Sequence, residues 1–96
     1  LAPPKALPAE EITQDGFLAR WTKVKGAIFY ELDIASDKNF MNIVEPYNHM
    51  DVGKIDGMMA IELEPGAYYY RVRAVSKKSR SEFSDIMKVV LKKDVK

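Results

Sequence analysis

Cysteine is missing from the 96 residues, and its absence excludes disulfides, thiolate metal sites and thiol catalysis together. Histidine occurs once, at His49, so a transition-metal site would have to be completed by carboxylates. The five glycines are scattered, and no glycine-rich loop of the kind that cradles phosphate exists. No D-x-D-x-D-G calcium loop occurs either. Apolar runs stay far below the roughly 18 residues that a membrane helix needs. Charge of one sign is not in excess: 15 basic against 14 acidic side chains leave +1. That balance supplies no long-range field to favour nucleic acid or anionic lipid.

What is present describes one globular unit. Apolar residues make up 47% and charged residues 30% of the chain, and this length supports a single core. Three of the five prolines, Pro3, Pro4 and Pro8, fall in residues 1–8. Proline fixes φ and removes a donor, so this segment reads as an extended linker. Residues 93–96, Lys93 to Lys96, read as a charged tail, which leaves the folded unit at 9–92. The opening at Leu1, with no basic region leading into an apolar stretch, points to a module of a longer protein.

Between these ends the dominant period is two. Phe17, Ala19 and Trp21 alternate with Leu18 and Arg20; Tyr30, Leu32 and Ile34 alternate with Glu31 and Asp33. Met59, Ile61 and Leu63 alternate with Ala60 and Glu62; Tyr68, Tyr70, Val72 and Ala74 with Tyr69, Arg71 and Arg73; Met87, Val89 and Leu91 with Lys88 and Val90. Successive strand side chains point to opposite faces, so each segment has one apolar face. Turn residues separate them, at Asp15-Gly16, Lys25-Gly26, Ser36 to Asn39, Asp56-Gly57, Pro65-Gly66 and Ser76 to Ser81. Short strands at this spacing form a sandwich or barrel. Residues 40–57 carry Phe40, Ile43, Val44 and Tyr47 and hold one or two short edge strands.

The order of these residues resembles the fibronectin type III family over about residues 4–91. Trp21 on the second strand, Tyr30 with Leu32 and Ile34 on the third, and Leu63-x-Pro65-Gly66-x-Tyr68 leading into Arg71-Val72-Arg73-Ala74-Val75 carry the likeness. The resemblance implies an all-β, seven-stranded, immunoglobulin-like sandwich of two sheets. Its core would hold Trp21, Tyr30, Leu32, Leu63, Tyr68, Tyr70 and Val72. Tyr68 would be the tyrosine corner, its hydroxyl returning to the backbone near Leu63. Arg-Gly-Asp is absent, so integrin binding is not implied. The stretch from Gly26 to Phe40 is similar in style to bacterial surface and secreted modules.

Catalytic, cofactor and metal residues are not expected. His49 reads as a solvated loop residue, and the serines at 76, 79, 81 and 84 cluster away from it, so no nucleophile meets a base. The candidate contact surface is Lys77, Lys78 and Arg80, on the loop before the last strand, with Phe29, Tyr69 and Val75 as outward apolar residues. Glu31 opposite Arg73 and Asp33 opposite Arg71 would form an ion-pair ladder across the third and sixth strands. The resemblance implies a non-catalytic spacer and protein-contact or adhesion module of a larger bacterial protein, outside the cell or at its surface. Its partners would be neighbouring domains, another protein or a glycan, with the isolated domain monomeric and neither nucleic acid nor membrane insertion involved. The alternative is an accessory domain of a secreted glycanase or protease that touches carbohydrate through Tyr47, Tyr69 and Phe29.

Overall fold

Seven strands and no helix make up the computed structural model, which describes residues 1–93. They are β1 (Ala6–Glu10), β2 (Phe17–Trp21), β3 (Phe29–Ala35), β4 (Met50–Asp51), β5 (Gly57–Ala60), β6 (Gly66–Val75) and β7 (Met87–Leu91). Two antiparallel sheets form, in the orders β1-β2-β5 and β4-β3-β6-β7. β1 begins at Ala6, so the proline-rich linker expected over residues 1–8 ends at Lys5. Pro8 lies within this edge strand, where a missing donor is tolerated, and the register slips between Leu7 and Glu10. Of the expected charged tail, Lys93 is exposed and outside any strand, and Asp94, Val95 and Lys96 lie outside the described residues.

Alternation places the core where the sequence predicts on four strands. Phe17, Ala19 and Trp21 of β2 meet Tyr30, Leu32 and Ile34 of β3, Tyr68, Tyr70, Val72 and Ala74 of β6, and Val89 and Leu91 of β7, all buried. Phe17 stacks on Tyr70 with ring centroids 5.6 Å apart, and Trp21 tilts against Tyr30 at 6.1 Å. β5 departs from the prediction. Ala60, not Met59 or Ile61, is buried, because Phe17 pairs with Ala60 and Leu18 with Met59. Met59 and Ile61 therefore face solvent. Leu63 still reaches the core, because Glu62 takes a left-handed φ of 59° and resets the alternation. Beside it, a Cβ on Gly16 would lie 2.5 Å from the Ala60 carbonyl oxygen, so this turn needs glycine for close approach.

Two tyrosine hydroxyls tie strands to loops. Tyr68 donates to the Glu64 carbonyl at 2.6 Å, the corner expected, one residue beyond Leu63. Tyr70 donates to the Leu7 carbonyl and so fastens β1 over the core. Burial pushes the Tyr70 phenol up to about 12, against the opposing pull of the Arg20 peptide group. Burial raises Tyr68 as well. Both groups stay protonated in the folded chain at a pH where the unfolded chain has begun to ionise. Their contribution is therefore complete below about pH 10 and is lost as pH rises toward 12. We expect stability to fall by on the order of 1 kcal/mol across that window, allowing for solvent screening. Tyr70→Phe flattens most of the fall and costs about 0.5–1.5 kcal/mol at neutral pH through the lost hydroxyl bond to the Leu7 carbonyl. Urea midpoints measured against pH check both.

Candidate functional site

The β6–β7 loop folds on its own serines. Ser76 N–H donates to the Ser79 carbonyl at 2.8 Å, and the Ser76 hydroxyl accepts from the Ser79 N–H at 3.2 Å. This tight turn leaves Lys77, Lys78 and Arg80 exposed. Ile28 N–H donates to the Val75 carbonyl at 2.8 Å and brings the β2–β3 loop alongside. A shallow open depression of about 370 Å³ results, lined by Ile28, Phe29, Val75, Lys77, Lys78 and Arg80 among others. Five of the six residues expected to form a contact surface thus do come together. Val75 corrects the expectation in one respect: it is 4% exposed and forms the floor, because the returning chain at Arg80 bridges over it. Tyr69 is not part of the group. It pairs with Ala35 at the far end of the ladder on which Phe29 pairs with Val75, about 20 Å away at the rise of a strand.

On the outer face of the larger sheet, the expected register is present. Glu31 lies opposite Arg73 and Asp33 opposite Arg71, with N–O distances of 2.7 and 3.0 Å. Its environment is not the solvated surface that alternation implies. Asp33 is 0% exposed. The Arg71 guanidinium lies between two rings, 4.2 Å from the Phe40 centroid and 4.1 Å from that of Phe83. Arg73 also covers Phe83 at 4.6 Å. Two residues with left-handed φ angles, Phe40 at 55° and His49 at 48°, bring their loops onto this face. The strain, roughly 1–2 kcal/mol each, is offset by what the two residues reach. His49 donates its backbone N–H to Asp33 Oδ1 at 2.6 Å, its Nδ1 lies 2.8 Å from the same oxygen, and its ring stacks on Phe83 at 5.7 Å.

His49 is thus the exposed loop residue expected from sequence, its side chain 48% exposed, but with one edge of the ring fixed on the buried Asp33 carboxylate. An imidazole oriented by a buried carboxylate is two parts of a nucleophilic relay, but no hydroxyl bonds to its Nε2 among the described residues. The nearby serines are used elsewhere: Ser81 and Ser84 hydroxyls accept from the Ala74 and Val72 N–H groups at 2.9 and 3.1 Å. Asp37, a turn residue by sequence, accepts from the Asn42 and Met41 N–H groups, and the Asn42 amide foremost holds its carboxyl below the usual range. Among the described residues no cluster of three metal-ligating side chains occurs. Tyr47 is buried in the core, and its hydroxyl accepts from the Ile61 N–H at 3.2 Å. It cannot join Tyr69 and Phe29 in an exposed aromatic row, and the carbohydrate-contacting alternative loses its platform.

At the level of sequence, no family profile and no curated relative matches the chain. Similarity appears in structure. The fn3 domain of human collagen alpha-1(XX) chain superposes with a TM-score of 0.80 at 21% identity, over 100% of this chain and 89% of that one. The fibronectin type-III domain of human fibronectin type III domain containing protein 3 gives 0.71 at 16% identity, over 98% and 90%. FN3tt gives 0.69 at 21% identity, over 94% and 96%. The three-plus-four strand order, the Tyr68 bond back to Glu64 and this likeness along nearly the whole chain give the protein the fibronectin type III fold.

Proposed function

We propose that the chain is a non-catalytic spacer and protein-contact module of a larger exported or cell-surface protein, of bacterial type. One observation carries this reading. The groups able to do chemistry, Asp33, Glu31, His49, Ser81 and Ser84, are bound into the sheet and its covering loops, whereas Lys77 and Lys78 of the β6–β7 loop are exposed. Lys77 and Lys78 have no ion-pair partner among the described residues, and Arg80 is 3.5 Å from Glu31. A rigid sandwich thus presents a basic loop over an apolar floor of Ile28, Phe29 and Val75, which suits a protein partner better than a small molecule. The fibronectin type III fold, shared with the fn3 domain of collagen alpha-1(XX) chain, supports the location, and the Gly26 to Phe40 stretch supports the bacterial type.

Hydrogen exchange on the isolated chain and on the same chain within its parent protein tests this. Added protection is expected at Ile28, Phe29 and residues 76–80, with the core unchanged. Identical exchange at that end, or turnover of a substrate that His49→Ala abolishes, would overturn it.

A further inference from the structure

The near-zero net charge conceals a segregated distribution. Three connections meet at one end of the sandwich. Lys23, Lys25 and Lys54 line one depression there and Lys77, Lys78 and Arg80 the next, with Ile28 common to both. All six cations are exposed; the acids nearby in the chain are Asp51, Asp56 and Glu82, and Arg80 alone of the six has an acidic partner, Glu31 at 3.5 Å, among the described residues. The opposite end gathers around Leu63. Its N–H donates to the Asp15 carbonyl at 2.9 Å, and the depressions that it lines also hold Asp15, Glu64, Glu45 and Glu62. All four acids are exposed, with Lys92 and Lys93 at the rim.

We infer that the occupant of the basic end is the acidic end of a second copy of this chain, in a head-to-tail contact. The inference rests on reading that end as a contact surface, and it names the partner. Complementary ends on one molecule make a heterologous contact that does not close on itself, so copies line up rather than pair. The cross-section limits its strength. The body measures 25 by 19 Å across its shorter axes, an end of roughly 475 Å², against the roughly 800 Å² per partner of a stable interface. Attraction between the ends must therefore supply orientation, and salt must weaken it: the screening length falls from about 30 Å at 0.01 M to about 3 Å at 1 M.

Static light scattering and concentration-dependent amide shifts test this together. In low salt the second virial coefficient is expected to be negative, turning positive in high salt, with shifts at Lys54, Lys77 and Lys78 and at Asp15, Glu62 and Glu64. Lys77→Gln with Lys78→Gln, and separately Glu62→Gln with Glu64→Gln, should each abolish the attraction. Net charge alone is controlled by Lys88→Glu, on a side face. It takes the +1 of the chain to −1, as the double lysine variant does, and should leave the attraction intact. A positive coefficient for the unaltered chain in low salt overturns the proposal, as does equal loss in Lys88→Glu. Binding of a polysulfated glycan at the lysines, with no shift at the acidic end, gives that end a different occupant and also overturns it. Any of these results leaves the hydrogen-exchange outcome within the parent protein unaffected, so failure of the two readings can be told apart.

Discussion

Asp33→Ala is expected to lower stability by about 3–5 kcal/mol, because removing the fully covered carboxylate leaves the Arg71 guanidinium, only 27% exposed, without its anion. Asp33 is 0% exposed and accepts from Arg71 Nε and the His49 N–H, with His49 Nδ1 against the same oxygen. Without the carboxylate, the Arg71 guanidinium remains held between Phe40 and Phe83 with no anion, and the His49 amide remains tethered with no acceptor. Asp33→Asn keeps an acceptor for the amide and should cost less, about 1–3 kcal/mol. Adding Arg71→Met to Asp33→Ala should recover part of the loss, since a buried pair replaced on both sides by apolar groups is often near neutral. Urea unfolding followed by Trp21 fluorescence measures all three. A loss below about 1 kcal/mol for Asp33→Ala would place the ladder in the class of solvated surface pairs and refute the covered site.

The contrast with Glu31 shows which effect dominates. Its side chain is 11% exposed, and its partners Arg73 and Arg80 are 20% and 59% exposed. Arg71 is 27% exposed, so the two guanidinium groups are covered to a similar degree, and the pairs differ in the carboxylate: that of Asp33 is wholly covered and that of Glu31 is not. Desolvation of the carboxylate, not the N–O distance, sets Asp33 apart.

Legibility in the sequence followed the range of the interactions. The alternation in β2, β3, β6 and β7 is local, so Trp21, Leu32, Tyr70 and Val72 could be placed inward from residues two apart, and the Glu31–Arg73 register followed from pairing two such strands. β5 misled because alternation has no preferred sign of its own. Met59 and Ile61 are more apolar than Ala60, yet pairing with β2 turns Ala60 inward, and Glu62 resets the phase before Leu63. The cover over Asp33 was illegible for a different reason. Phe40, His49 and Phe83 come from two connections without period, and the first two depend on left-handed backbone angles that no residue type among them announces. The segregation of charge was hidden as well, because a count sums charges that loops carry to opposite ends.

Trp21→Ala is expected to be the most damaging single change in the core, also at about 3–5 kcal/mol, and it separates packing from loop control. The indole is 1% exposed between the sheets, beside Tyr30, and its Nε1–H donates to the Ile55 carbonyl at 2.9 Å. The same segment is tied again by the Trp21 N–H, which donates to the Asp56 carbonyl at 3.1 Å. One residue thus fixes the β4–β5 connection, which carries Lys54 to the basic end. Trp21→Phe keeps most of the apolar volume and the backbone bond but leaves the Ile55 carbonyl without its donor, at a cost of about 1–3 kcal/mol. Its effect should be local. Amide exchange at Lys54 and Ile55 should quicken, while exchange across the β3–β6 ladder slows or quickens only with global stability. Trp21→Ala should instead quicken exchange everywhere that global unfolding controls it. If Trp21→Phe left Lys54 and Ile55 exchanging as before, the position of that lysine would be set by the strands on either side of the loop, and not by the core residue beneath it.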